Sequence, residues 1–214
     1  SNLHNIKQTR VRQAPQPSNS VQEMHDFVAD AFDLAFKYRN PAMILADGAI
    51  GQMMEKVVLA PQRPRKTKEE IAAECKSWAL IGKTDDRERN VITSLELKSE
   101  VMEVNNQRLQ AKYNAIKENE VRYEAIQCDD ADYVIVAFGS SSRICSATVE
   151  MARAEGIKLG LLRPITLYPF PTKAIQELAE RGVKGFLSAE LNAGQMVEDV
   201  RLAVNGKAPV EHFG

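Results

Sequence analysis

The chain has 214 residues, room for one large domain or two small ones with a buried core. Hydrophobic residues make up 44% and charged residues 27%, and 28 basic against 29 acidic side chains nearly cancel. Such a balance provides no whole-chain field of the kind that marks a nucleic-acid or membrane binder, so any function must come from motifs.

Residues 1–18 carry Lys7, Arg10 and Arg12 with no acid, together with Pro15 and Pro17. They read as a loosely attached leader, with a nucleic-acid arm as the other reading. Ser1-Asn2 reads as a protease scar, and the stop at Gly214 after a strand-like run reads as the end of a fragment. At Ser20 a helix is predicted: the serine can cap it and Glu23 can complete a capping box. Met24, Phe27, Val28, Ala31, Phe32, Leu34 and Ala35 give it a broad apolar face, and Asn40-Pro41 ends it. Ala42–Ala46 is a short apolar run suited to a buried parallel strand, turned at Asp47-Gly48.

Residues 55–97 read as a connector. Pro61, Arg63, Pro64, Arg65, Lys66 and Lys68 mark an exposed crossing, Trp78–Ile81 an apolar patch and Lys83–Arg89 a charged stretch. From about Ser99 to Glu124 a long helix is predicted, with Val101, Leu109, Tyr113 and Ile116 among its apolar positions. The remainder alternates regularly. Strands are predicted at Tyr133–Phe138, Lys158–Leu162, Gly185–Ala189 and Pro209–Phe213, with helices over about Ser142–Glu155, Thr172–Arg181 and Gln195–Val204. Gly156, Gly182 and Asn205-Gly206 stand where helix ends need positive φ. This order argues an α/β fold with an open, doubly wound, mostly parallel sheet.

In such sheets ligands meet the loops after the strand C-termini. Gly139, Ser140, Ser141 and Ser142 offer backbone amides and hydroxyls to an anion, or simply start a serine-capped helix. No GxGxxG or GxxxxGK[ST] pattern accompanies them. Arg163–Pro171, with Tyr168 and Phe170 among three prolines, is a stiff apolar loop suited to an interface. Glu190 stands at a helix start, either a functional acid or a cap for orphan amides. His4, His25 and His212 share no motif, and no nucleophile–base pair is visible. Cys75, Cys128 and Cys145 form no CxxC pair, which argues against a disulfide scaffold, structural zinc or an iron–sulfur cluster and fits a cytoplasmic protein. No apolar run approaches the roughly 18 residues that span a bilayer, so no membrane partner is expected.

The runs NSVQEM, AFDLAFKYRNPAMILADGAIGQMME, DRERNVITSL, KENEVRYE, LLRPITLYPFP and AELNAGQMVEDVRLAV, in this order, resemble the alpha-type subunit of 2-oxoacid:ferredoxin oxidoreductases, and among these the branched-chain, 2-ketoisovalerate type. The resemblance implies decarboxylation of a 2-oxoacid on thiamine diphosphate, electron transfer through iron–sulfur clusters to ferredoxin, and release of an acyl-CoA. It implies a diphosphate-binding beta subunit that holds Mg²⁺, and a ferredoxin-like subunit that holds the clusters. That division accounts for the absence here of both the Gly-Asp-Gly diphosphate motif and cysteine clusters.

The family's earlier pyrimidine-domain segment, with the glutamate that activates the cofactor, has no counterpart here, so no catalytic residue and no metal ligand is assigned. The implied organisation is a leader over 1–18, unmatched to the family, and the end of a pyrimidine-binding domain over 19–60. A connector with the long helix follows over 61–128, and a truncated transketolase C-terminal-like domain over 129–214. Alone, such a chain is expected to be inactive and to hold no cofactor. Gln52, Met53, Met54, Tyr168 and Phe170 are the candidate subunit contacts. A stand-alone anion- or nucleotide-binding domain and a structural assembly module remain as alternatives.

Overall fold

The computed structural model describes residues 14–17, 19–62, 64–79, 91 and 95–214. Arg63, the leader's Lys7, Arg10 and Arg12, the Leu80-Ile81 half of the apolar patch and the Lys83–Arg89 stretch lie outside these residues. The chain forms two compact units, one of Ser1–Val58 with Lys112–Gly214 and one of Leu59–Ala111.

The first unit opens with β1 (Ala14–Pro17), α1 (Val21–Tyr38) and β2 (Ala42–Leu45). β1 pairs in parallel with β2, Ala14 opposite Ala42 and Pro17 opposite Leu45. Ala14–Pro17 was expected within the unstructured leader. Its prolines favour extended backbone and lack an N–H, which suits an outer strand with a single neighbour. At the start of α1 the Ser20 hydroxyl accepts the Glu23 amide at 3.2 Å, as predicted. The Glu23 carboxylate reaches one residue further than a capping box requires, to the Asn19 amide at 3.0 Å. Phe27 and Leu34 are buried, whereas Phe32 on the same predicted apolar face is 65% exposed. The helix ends on Arg39 in the left-handed region, before Pro41. After β2, Asp47 caps the five-residue α2 (Gly48–Gln52).

The elements that follow are α3 (Lys68–Cys75), α4 (Ser99–Asn119), β3 (Tyr123–Ile126), β4 (Tyr133–Ala137), α5 (Gly139–Ala154), β5 (Leu159–Pro164), α6 (Thr172–Glu180), β6 (Gly185–Ala189), α7 (Met196–Val204) and β7 (Val210–Phe213). The last five strands form one mixed, mostly parallel sheet in the order β3-β5-β4-β6-β7. All its pairings are parallel except β3 with β5. β3 is a correction to the long helix, predicted to run to Glu124. Its residues suit either state, and pairing of Tyr123 with Pro164 and Ile126 with Leu161 decides for the strand. That pairing also carries β5 two residues beyond its predicted end.

Side-chain alternation along β4 divides the core. Val134 and Val136 pack with Leu162, Ile175, Leu178 and Val200 under α6 and α7. Ile135 and Ala137 pack with Leu161, Cys145 and Val149 under α5. The sheet is therefore covered on both faces, as a parallel sheet requires.

In the second unit, α3 starts on a reciprocal capping box, Glu70 amide to Thr67 hydroxyl and Thr67 amide to Glu70 carboxylate. Cys75, at its last turn, is buried. No helix among the described residues is long and apolar enough to cross a membrane.

Candidate functional site

The connection after β4 runs to the α5 face of the sheet and the connection after β6 to the opposite face, so the loops at the ends of these neighbouring strands diverge. This is the topological switch point where open α/β sheets bind ligands. Both helices starting there are already capped by carboxylates of the chain itself.

At the end of β4, Gly139 takes φ +58°, which lets the chain pass from strand to helix across Phe138 alone. Gly139–Ser142, expected as a loop that could hold an anion, are the first turn of α5. The Ser142 hydroxyl donates to the Gly139 carbonyl at 2.7 Å, and Ser141 and Ser142 are both buried. The Ser140 amide donates to Asp47 Oδ2 at 3.3 Å, and the Ser140 hydroxyl donates to the same oxygen. Asp47 Oδ1 meanwhile accepts the Ile50 amide at 2.9 Å. Burial pushes the Asp47 carboxyl upward, but the Ser140 hydroxyl and the surrounding amides outweigh it and hold the pKa below the usual value.

At the end of β6, Glu190 is 4% exposed. Its Oε2 accepts the Met196 amide at 2.8 Å and the Gln195 amide at 3.1 Å, and its Oε1 the Val197 amide at 2.8 Å and the Ser188 hydroxyl at 3.0 Å. Here too burial acts upward and is outweighed by the amide and hydroxyl bonds, so the carboxyl titrates below its ordinary range. Of the two readings of Glu190, the capping role is the one its contacts fulfil.

The candidate contact residues are dispersed. Gln52 is exposed, Met53 half-buried and Met54 98% exposed. Tyr168 and Phe170 are half-buried, with Phe170 packed against the core under α6 and Tyr168 lining a hollow of about 10 Å³. That hollow lies among Leu34, Tyr38, Ile116 and Glu120, with room for about one water.

Arg163 and Glu120 were not singled out from the sequence. Arg163, 3% exposed, bonds Glu124 at 2.9 Å and also Glu23. Glu120, also buried, accepts the Lys37 ammonium and the Tyr38 hydroxyl, each at 2.6 Å. Burial pushes the Glu120 pKa up, but the bonds from Lys37 and Tyr38 together outweigh it, and the net direction is down. No local signal exposes these residues, because their partners lie 39 to 140 positions away.

Among the described residues, no three His, Cys, Asp or Glu side chains gather as a metal site. With both strand-end carboxylates committed to amides and a hollow of one-water size, these residues do not by themselves fit thiamine diphosphate.

Comparison with known proteins gives two family matches. The model described as "Pyruvate flavodoxin/ferredoxin oxidoreductase, thiamine diP-bdg" matches residues 14–124, and "Pyruvate:ferredoxin oxidoreductase core domain II" matches residues 131–214. The chain is 49% identical over 185 residues to the ketoisovalerate oxidoreductase subunit VorB of Methanothermobacter marburgensis, covering 86% of this chain and 50% of that protein. It is 32% identical over 212 residues to the 2-oxoglutarate synthase subunit KorA of the same organism, covering 90% of this chain and 56% of the relative. The chain thus spans about half the length of the curated relatives it matches. Among solved structures, a 2-oxoglutarate:ferredoxin oxidoreductase from Magnetococcus marinus matches with TM-score 0.70 at 17% identity, over 94% of this chain and 39% of that one, a likeness of fold.

Proposed function

This chain belongs to the 2-oxoacid:ferredoxin oxidoreductase family as an alpha-type subunit, and we propose that it serves a branched-chain member of it. The complete enzyme is a thiamine-diphosphate-dependent complex that oxidatively decarboxylates a 2-oxoacid of the 2-ketoisovalerate type to an acyl-CoA and passes the electrons to ferredoxin. One observation carries the choice of substrate class: 49% identity to a ketoisovalerate subunit against 32% to a 2-oxoglutarate subunit of the same organism.

In this reading residues 19–60 complete a pyrimidine-binding domain and residues 129–214 form most of a transketolase C-terminal-like domain. A separate beta subunit supplies the diphosphate and Mg²⁺ site, and a ferredoxin-like subunit the iron–sulfur clusters. Gln52, Met53 and the exposed Met54 face a neighbouring subunit. Gly139–Ser142 serve to start α5 rather than to bind an anion, a view supported by the hold of Asp47 on Ser140. Isolated, the chain is inactive.

The test is 2-oxoacid- and CoA-dependent reduction of a viologen dye by a complex reconstituted from beta and cluster subunits. These are combined either with this chain or with one restored to the length of its relatives. Activity only with the longer chain, greatest on 2-ketoisovalerate, is the expected result. A complex that assembles and holds its cofactors yet reduces no dye with any 2-oxoacid overturns the proposal. Saturable stabilisation of the isolated chain by CoA or nucleotides would favour the anion-binding alternative instead.

A further inference from the structure

The apolar clusters that hold the five-strand sheet together draw only on residues from Ile126 onward. Among the described residues the β1–β2 sheet shares no strand pairing with it. Alongside the buried Phe27 and Leu34 and the hollow that Leu34 and Tyr38 line with Ile116 and Tyr168, α1 is joined to this sheet and its flank by a row of charges at seven-residue intervals, Glu23, Asp30 and Lys37. This interval returns a helix to nearly the same face every two turns. Glu23 meets Arg163 on β5, Asp30 meets Arg122 just before β3 at 2.7 Å, and Lys37 meets Glu120 just after α4 at 2.6 Å. Between them Phe27 and Leu34 supply the buried apolar side chains of the helix. Beyond the start of the helix the seam continues in polar form, through Asp47 to Ser140 and Glu55 to Arg143 at 2.6 Å.

We propose that Glu23–Arg163, Asp30–Arg122 and Lys37–Glu120 form an ionic clasp, which lets the β1–α1–β2 unit lift from the five-strand sheet as one body while that sheet stays folded. Each pair is built to survive separation. The α1 members are already 25%, 30% and 59% exposed at the side chain, so water can take over their solvation. Arg163 keeps Glu124 as counter-charge within its own sheet. Its Nε has no hydrogen-bond partner among the described residues even in the closed form, so closure leaves part of the guanidinium unsatisfied there. A joint of this kind opens locally at a lower free energy than the whole molecule unfolds.

Hydrogen exchange on the 214-residue chain tests the clasp. Raising NaCl from about 0.1 M to about 1 M shortens the Debye length from about 10 Å to about 3 Å and weakens the attraction that closes it. Amides of α1 and β2 are expected to exchange about three- to tenfold faster, while those of β4, β5 and β6 do not change. Asp30→Arg and Arg122→Asp should each open α1 in the same way, and the double exchange should restore protection. Protection of α1 that is indifferent to salt overturns the proposal, as does α1 exchanging in step with the core strands. So does a double variant without recovery, or a single variant in which the five-strand sheet also loses protection.

Discussion

Asp47 lies 93 positions before Ser140 in the chain, yet one of its carboxylate oxygens accepts both the amide and the hydroxyl of that serine. The helix start that sequence analysis offered to an external anion is thereby filled from within. Asp47 also caps α2 through Ile50, so a single side chain terminates two helices belonging to different sheets.

Replacing Asp47 with Ala should cost roughly 1–3 kcal/mol, a value set by the loss of caps at two helix N-termini. Urea unfolding at neutral pH measures it. Asp47→Asn, which keeps an acceptor oxygen, should recover part of the loss. Equal stability of the Ala variant and the parent would show that the Ser140 contact carries no net energy.

Glu190 gives a sharper version of the same effect. Its carboxylate is buried against amides of the α7 start, so Glu190→Ala should cost roughly 2–4 kcal/mol. Glu190→Gln loses less but brings a donor amide against donor N–H groups. Because the folded pKa is depressed, the stabilisation is complete above the unfolded value of about 4.3 and disappears as pH falls through the lower folded value. Urea midpoints from about pH 5 downward should therefore decline less steeply in the Gln variant than in the parent.

Gly160 tolerates no side chain. A Cβ there would stand 2.9 Å from the Gln127 carbonyl oxygen and 3.1 Å from both Cys128 Cα and Ala131 Cβ, two of the three being backbone atoms. Gly160→Ala should lower stability by roughly 1–3 kcal/mol through overpacking at β5, read as a fall in thermal midpoint.

Tyr38→Phe removes one of the two side-chain donors that reach Glu120 at 2.6 Å. The expected loss is about 1–2 kcal/mol, because the buried carboxylate gives up a short hydroxyl bond while Lys37 and the nearby Arg122 charge remain. Combining it with Glu120→Gln in a double-mutant cycle should give less than the sum of the single losses.

How far the fold was legible from the sequence depends on where each determinant sits. Ser20 with Glu23, the turn at Asn40-Pro41 and the alternation of strands with helices from Tyr133 onward are short-range patterns, and they emerged within one to three residues of their observed limits, the largest gap being the start of α5 at Gly139 rather than Ser142. β3 did not, since Tyr123–Ile126, with Glu124 its one charge, suits a helix as well as a strand and becomes a strand only beside β5. β1 escaped for the same reason: Ala-Pro-Gln-Pro has no apolar alternation and is extended because β2 lies alongside. At the switch point, the residues were visible but their partners were not. Nothing near Ser140 announces Asp47, and nothing near Arg163 announces Glu23, because these pairings are products of tertiary packing.

The cysteines offer an internal reporter of how the molecule comes apart. Cys128 lies in the core under α6 and α7, Cys145 in the core under α5, and Cys75 in the other compact unit, all three buried and unbridged. Burial also raises the pKa of the Cys128 and Cys145 thiols, which suppresses the reactive thiolate at neutral pH. A thiol-modifying dye added to the native chain therefore waits on structural opening at each position. Three labelling rates read by peptide mass would time the loosening of each sheet face and of the second unit separately, with no introduced probe.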